Sequence, residues 1–498
     1  MKWIFLPSLC CCFACRDTTK DSSDAIVDTE DTENREIAIS MESIHRHLEA
    51  LQEIANRNNQ TRVVGSTGSQ ESIVYVQGVL ENLGYTVTLQ PFALPMYLEN
   101  APPVVRFSGE DFPASTMYYS PAGNITASIQ PVDIQIPPGN QANSSTSGCE
   151  LSDFQTFVPG NIALIQRGTC TYSTKIQFAQ QSGASAVVFF NEGQADRRDV
   201  VQGTLGQGDF LIPAVGVSFD TGQLLAQAND VVTVIVDAQL QNIETSNVLA
   251  ENTAGSEDSV LVIGGHLDSV QAGPGINDNG SGSAAILALA EWFADKETTN
   301  RVRFAFWSAE ELGLIGSTYY VEQLAQDQAN KIMANLNFDM LASPNYARFI
   351  YDGNGDSMGI PGPNGSGIIE SLFEEHFTGA GLAFEATAFD GRSDYGPFIA
   401  INIPAGGLFS GAEQLKNASQ QALYGGEADV PFDICYHQSC DTLDNINWTA
   451  MQEMGDASLS VAWSMATMDN FTGRNHRDIQ QLRRNMAKMQ YLGDKSQR

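Results

Sequence analysis

The chain has 498 residues, of which 42% are hydrophobic, and a formal charge of −33 at pH 7. That length is too great for one ordinary core and suits two domains with a tail. The charge excludes nucleic acid as a partner, because phosphates would be repelled, and it fits a soluble protein working outside the cytoplasm.

The N-terminus reads as a short secretory signal over residues 1–14, with Lys2 followed by the apolar run Trp3 to Leu9. Cys12-Phe13-Ala14-Cys15 is similar to a bacterial lipoprotein cleavage box, with Cys15 as the lipidated residue. Plain secretion with cleavage near the same place is the competing reading. The acidic, Ser/Thr-rich residues 15–35 then form a flexible linker. No other segment reaches the roughly 18–20 apolar residues that a spanning helix needs. Four of the eight cysteines crowd this N-terminus, and Cys149, Cys170, Cys435 and Cys440 lie in the body, an even number that suits an oxidising compartment.

A helix is predicted from Glu36 to Asn56, with Ile44, Leu48, Leu51, Ile54 and Ala55 on one side. The polar segment through Arg62 breaks it. A second amphipathic helix runs from Ser69 to Leu83, Gly84 ends it, and Tyr85 to Leu89 alternates as a strand. Residues 126–148 are loose and rich in Pro, Gly, Asn and Ser, which marks a boundary. Beyond it come a strand at 161–168, a helix at 172–183, a buried strand at 184–191 and a further segment at 210–218, with no catalytic constellation among them.

From residue 246 the chain returns to β/α alternation, the signature of a doubly wound, mostly parallel α/β sheet. The apolar run Ser259 to Ile263 ends in Gly264-Gly265, then His266 and Asp268 appear, and a glycine-rich turn carries Asp278 before the helix from Ser283 to Trp292. The strand Arg301 to Trp307 ends at Glu310-Glu311, and the strand Ile332 to Phe338 ends at Asp339. His437 stands in a late Cys-Tyr-His segment. Ligand sites form beyond the carboxyl ends of such strands. Histidine and carboxylate donors without a thiolate suit catalytic zinc, and five of them suffice for two ions sharing one carboxylate.

These stretches carry a resemblance. HLDSV, GPGINDNGSGSA, SAEELGLIGS, NFDM, DGRSDYGPF and CYHQSCDTLDNIN closely resemble the secreted bacterial di-zinc aminopeptidases of the leucyl-aminopeptidase type, over roughly residues 40–125 and 246–470. The middle segment resembles a protease-associated (PA) domain, a small β-rich insert whose disulfide would join Cys149 and Cys170. The resulting division is a first peptidase part at 36–130, the insert at 131–245, a second peptidase part at 246–472 and a basic tail at 473–498. The insert reads as a cap or spacer shaping access to the site, with substrate or partner binding as the alternative. In the tail, Arg474, Arg477, Arg483, Arg484, Lys488, Lys495 and Arg498 accompany helical spacing. A solvated helix is the expectation, with docking on the acidic body, contact with anionic lipid or removal as alternatives.

The resemblance implies two Zn2+ ions, His266 and Asp339 on one, Glu311 and His437 on the other, with Asp278 bridging. It assigns Glu310 as general base, and adjacency to Glu311 lets one carboxylate bind metal while the other faces water. Asp268 is expected to orient the His266 imidazole. A Cys435–Cys440 disulfide would place the Tyr436 hydroxyl for a tetrahedral oxyanion. Arg392 resembles a substrate contact, with an ion pair to Asp390 or Asp394 as the structural alternative. Glu310 and Asp339 would receive the α-ammonium group of peptides with free N-termini, and the family favours large apolar first residues, leucine above all. His45, His47, His376 and His476 read as non-ligands. Calcium occurs in the family, but no acidic cluster here is specific enough to assign it. The chain is expected to act as a monomer, touching a membrane only through a lipid on Cys15. Rival readings are a carboxypeptidase-like di-zinc enzyme, a one-zinc glutaminyl cyclase and a non-catalytic receptor-like protein; the complete ligand set with Glu310 speaks for an active peptidase.

Overall fold

The structure, a computed structural model, describes residues 38–471 apart from 196, 207 and 229. The signal, the linker with Cys15 and the basic tail with His476 therefore lie outside the described residues.

Helix α1 (Met41–Arg57) starts at Ser40, whose hydroxyl accepts the Ser43 amide at 3.2 Å. Helix α2 (Thr67–Asn82) starts at Ser66 in the same way. Each cap satisfies an amide that has no partner within the helix. The side of α1 carrying Ile44, Leu48, Leu51, Ile54 and Ala55 is buried, as its 3.6-residue spacing predicts.

Strands β1 (Thr86–Phe107), β2 (Glu110–Phe112), β3 (Ala114–Thr116) and β4 (Gly123–Val132) follow. Next come β5 (Ile162–Gln166), α3 (Tyr172–Gln181), β6 (Ala186–Phe190), β7 (Ala214–Val217) and α4 (Phe219–Leu225). Strand β8 (Val231–Glu251) pairs antiparallel with β1 from Thr86↔Glu251 to Phe107↔Val232. One end of β8 pairs with β4 and the other with β10, so this long ribbon joins the inserted region to the peptidase sheet. Strand β8 runs across the suggested division at 245/246, and β4 runs across that at 130/131. The insert carries the helix that its sequence predicted, α3, beside its strands. Its strands β4, β5, β6 and β7 are parallel. Strand β6 is buried on both sides, with Ala186, Val188 and Phe190 in one apolar cluster and Val187 and Phe189 in another, as its two-residue repeat requires.

The peptidase part continues with β9 (Ser256–His266), α5 (Gly282–Phe293), β10 (Asn300–Trp307), α6 (Ile315–Gln323), α7 (Gln326–Lys331), β11 (Ile332–Phe338), β12 (Phe349–Tyr351), α8 (Ser366–Gly379), β13 (Glu385–Thr387), α9 (Gly396–Ala400), β14 (Ala405–Phe409), α10 (Ala418–Tyr424) and α11 (Trp448–Thr467). Strands β10, β9, β11 and β14 are parallel neighbours in that order. Leu261 and Ile263 join the helices α1, α5 and α11 on one face, while Val260 and Val262 pack with Trp307 and Tyr320 on the other. Burial on both faces explains the unbroken apolar runs in these strands.

The two glycines near the end of β9 are required by close approach. A Cβ on Gly264 would lie 2.7 Å from the Trp307 indole nitrogen, and one on Gly265 would lie 2.5 Å from the Phe338 carbonyl oxygen. Strand ends carrying His266, Glu310 and Asp339 are thereby drawn together. Among the described residues no helix is long and apolar enough to cross a membrane.

Candidate active site

The site sits at the carboxyl ends of the parallel strands. His266 is the last residue of β9, Glu310 and Glu311 follow β10, and Asp339 follows β11. Asp278 comes from the irregular turn Ile276–Ser281, entered through Gly275 at φ +65°. His437 lies in the loop closed by the Cys435–Cys440 disulfide. Ala309, Met340 and His437 adopt φ values of +64°, +55° and +56°. Such conformations cost of the order of 1–3 kcal/mol each in non-glycine residues and cluster where function fixes the backbone. All three flank or carry predicted site residues.

The predicted donors fall into two groups that share Asp278. His266 Nε2 lies 3.2 Å from Asp278 Oδ1 and 3.3 Å from Asp339 Oδ1. His437 Nε2 lies 3.2 Å from Asp278 Oδ2 and 3.1 Å from Glu311 Oε2. The two oxygens of one carboxylate are thus divided between two histidines. Glu310 Oε2 is 4.0 Å from His266 Nε2, and buried Glu311 Oε1 has no hydrogen-bond partner among the described residues.

The electrostatics are those of an acid-rich cavity. Despite burial, the hydrogen bonds from His266 and His437 hold Asp278 well below the usual carboxylate range. Burial opposes charge on His437, but bonds to Asp278 and Glu311 lift it to about 10. His266 is likewise raised against its burial, chiefly by Asp339 and Glu310. Burial and the charge of Asp278 push Glu311 up to about 7. Burial also drives Glu310 well above its ordinary value, with the charges of Asp394, Asp339 and Glu311 adding to it. Among the described residues, Asp268, Asp278, Glu310, Glu311, Asp339 and Asp394 thus have His266, His437 and Arg62 as their neighbouring cations. Carboxylates buried in such excess require further positive charge. Nitrogen and carboxylate donors shared between two groups fit zinc, and each group keeps to three protein donors, as catalytic zinc does.

Neighbours fix these donors. Ser393 Oγ donates to Asp339 Oδ2 at 2.6 Å and accepts from Asn337 Nδ2 at 2.9 Å. The sequence contained Ser393 in the DGRSDYGPF stretch, but nothing local marked it as a site residue. Asp268 differs from its expected part. Its backbone carbonyl lies 3.1 Å from His266 Nδ1, whereas its carboxylate Oδ1 is 4.0 Å away and accepts the Glu310 amide at 3.2 Å. Two residues of separation let the main chain reach the imidazole first, and the carboxylate supports the Glu310 backbone instead. Arg392 pairs with Glu413 at 3.5 Å rather than with the side chain of Asp390 or Asp394. The Tyr436 ring stacks on His437 with centroids 3.9 Å apart.

Arg392, Tyr436 and the two donor groups line a cavity of about 440 Å³. Its apolar wall includes Met340, Phe349, Tyr351, Phe409 and Phe432. His45 pairs with Glu49 and stacks on Trp448, His47 binds Tyr75 and Glu291, and His376 packs against Phe377. None of these three belongs to either donor group. A third acidic cluster, Asp352, Asp356 and Glu370, also comes together. Amides of its own loop occupy Asp352 and Glu370, including Gly355 and Asn354, so calcium stays unassigned.

Residues 247–462 match Peptidase family M28 and residues 134–225 match the PA domain. An aminopeptidase of Pseudomonas aeruginosa is 43% identical over 431 residues, covering 84% of this chain and 80% of that protein. A probable lipoprotein aminopeptidase, LpqL, of Mycobacterium tuberculosis is 42% identical over 426 residues, covering 83% and 82%. A zinc aminopeptidase from Bacillus subtilis shares the fold, with a TM-score of 0.63 at 21% identity over 89% of this chain and 99% of its own. With this identity over most of its length, the chain belongs to peptidase family M28 and is a metallo-aminopeptidase carrying a PA domain.

Proposed function

We propose that the protein is an extracytoplasmic di-zinc aminopeptidase that releases large apolar N-terminal residues, leucine among them, from peptides. The observation that carries this reading is the division of the Asp278 carboxylate, with one oxygen 3.2 Å from His266 and the other 3.2 Å from His437. His266, Asp339 and Asp278 would hold one zinc, and His437, Glu311 and Asp278 the other. When bound, the two ions supply Lewis acidity towards the substrate carbonyl and lower the pKa of a shared water.

The chain's own groups supply the proton transfers and the fit. Glu310 stands beside the donors without belonging to either group, and burial raises its proton affinity. It takes the proton of the attacking water and passes it to the leaving amine. Tyr436, above His437, donates its hydroxyl hydrogen to the tetrahedral oxyanion. Glu310 and Asp339 receive the α-ammonium group. Arg392 at the cavity wall contacts the peptide beyond the scissile bond. Phe349, Phe409, Phe432 and Met340 favour a large apolar first side chain. A carboxypeptidase would need an unengaged cation for the terminal carboxylate. Arg392 is 62% exposed and already paired with Glu413, which disfavours that alternative.

The sequence divisions at 36–130, 131–245 and 246–472 serve as working limits, with the insert shaping access to the cavity. Two disulfides favour an oxidising compartment, and Cys15 would be the lipid attachment site. We expect a monomer. The test is hydrolysis of leucine p-nitroanilide against its N-acetylated form, with zinc counted on the same preparation. Cleavage of the free amine alone by a protein with two zincs supports the proposal. Equal cleavage of both substrates would sink the aminopeptidase assignment, and a single zinc would sink the bridging one.

A further inference from the structure

Asp278 must present its two oxygens to two histidines, yet it projects from an irregular turn rather than from a strand. Parts of the chain far away in sequence hold that turn. Asp441 follows the Cys435–Cys440 loop and takes three successive amides. Its carbonyl accepts from Ile276 N at 3.1 Å, its Oδ1 from Asn277 N at 2.8 Å and its Oδ2 from Asp278 N at 3.0 Å. Asn445 Nδ2 donates to the same Oδ1 at 3.2 Å. On the preceding residues the polarity reverses. Arg62, between α1 and α2, is wholly buried. Its Nε donates to the Pro274 carbonyl at 2.9 Å, its Nη2 to the Gly275 carbonyl at 2.6 Å and its Nη1 to the Leu267 carbonyl.

We propose that Arg62 and Asp441 are positioning residues for Asp278, a cation on the carbonyls of the turn and an anion on its amides. The inference rests on reading Asp278 as the shared ligand. Arg62 suits its part because a planar guanidinium carries several donors in fixed directions, which a lysine cannot reproduce. Asp441 suits its part because successive amides converging on one side make an anion-binding concavity. Asp441 lies four positions after His437, which sits inside the loop that the Cys435–Cys440 disulfide closes. The same clamp therefore ties the second histidine to Asp278. The turn is held before any metal arrives, so binding does not have to order it.

The direct test is amide hydrogen exchange of the zinc-free wild-type protein, read over residues 275–281. The amides of Ile276, Asn277 and Asp278 should be protected without zinc and gain little when zinc is added. Exchange at loop rates without zinc, with protection appearing only on loading, would mean that the metal orders the turn and would overturn the proposal. D441N and R62K provide a second reading through chelator competition for zinc. Each should weaken zinc retention by about 10–100-fold, the usual effect of losing an outer partner of a ligand, in addition to any cost to the stability of the zinc-free protein. Wild-type zinc affinity with a lowered zinc-free unfolding temperature would make both residues parts of the fold alone, against the proposal. If a variant does not fold, the exchange result decides. D278N serves as reference: two zincs retained there would defeat the shared-ligand reading, while exchange in the wild type still judges the clamp.

Discussion

The two disulfides should differ in what they do, and the difference can be worked from their loops. Cys435 and Cys440 are 5 residues apart, whereas Cys149 and Cys170 are 21 apart. The chain-entropy relation assigns about 2 kcal/mol of stabilisation to the short loop and about 3 kcal/mol to the long one. Activity should follow the opposite order. The short loop holds His437 at a left-handed φ of +56°, stacks Tyr436 upon it and leads directly to Asp441. Without the bond, His437 can relax from that conformation, and Asp278 loses the partner of its second oxygen. Cys149–Cys170 lies in the insert, beside buried Lys175, whose ammonium reaches the Ser147 carbonyl. Double replacement of each pair by serine, followed by denaturant unfolding and kcat/KM, separates the two roles. C435S/C440S should lose at least tenfold in kcat/KM, with zinc retention weakened. C149S/C170S should lose more stability and keep kcat/KM within about threefold of wild type. Full activity and full zinc content in C435S/C440S would refute the reasoning, since the bond would then do no more than shorten a loop.

Ser393→Ala removes the 2.6 Å donor to Asp339 and leaves the Asn337 amide group without its acceptor. A fall of about 10–100-fold in kcat/KM or zinc affinity is expected, and S393A at wild-type values in both would contradict it. Acid should destabilise the protein through His47, which is buried and whose pKa is lowered to about 4, chiefly by desolvation. The unfolded histidine titrates near 6.5, so its contribution is complete above that pH and is lost as pH falls towards 4. The loss should be about 2 kcal/mol at pH 5 and about 3 kcal/mol below pH 4. In the neutral ring, Nδ1 accepts from the Tyr75 hydroxyl at 2.7 Å and Nε2 donates to Glu291 at 3.1 Å, so both nitrogens are satisfied without a second proton. H47Q should show a flatter dependence in denaturant unfolding between pH 7 and pH 5, and an unchanged slope would count against this account. Chelation of zinc should lower the unfolding temperature, because an ion at 100 times its Kd adds about 2.7 kcal/mol to stability. No shift on chelation would mean that the donor groups hold no tightly bound ion.

Much of the site was legible because buried parallel strands write themselves as apolar runs. Val260 to Ile263, Phe304 to Trp307 and Ile332 to Phe338 are buried, and the residues after them fell where the sequence placed them. The long β1–β8 ribbon was not legible. Only its start, Tyr85 to Leu89, read as strand, because Pro91, Pro95, Pro102 and Pro103 look like breakers. From Thr86 to Ala101 strand β1 pairs with β8 alone, so a proline there can lack its N–H without breaking a central ladder. Arg62 was passed over for a different reason. An arginine after a polar break normally faces water, and its carbonyl partners lie more than 200 residues further along the chain. Arg392 was expected to contact substrate, with an ion pair to Asp390 or Asp394 as the structural alternative, and its observed partner Glu413 is neither of these. Each of these depends on tertiary contact that no local pattern encodes.

The central claim is that Glu310 moves the proton while its neighbour Glu311 holds metal. Glu310→Gln keeps the shape and removes the base. General acid–base groups contribute about 10²–10⁴-fold, so kcat for leucine p-nitroanilide should fall by that factor while two zincs remain bound, with any rise in KM reporting the lost contact to the α-ammonium group. Zinc content measured on the same sample separates loss of the base from loss of the site. An E310Q enzyme with two zincs and kcat within tenfold of wild type would contradict the account.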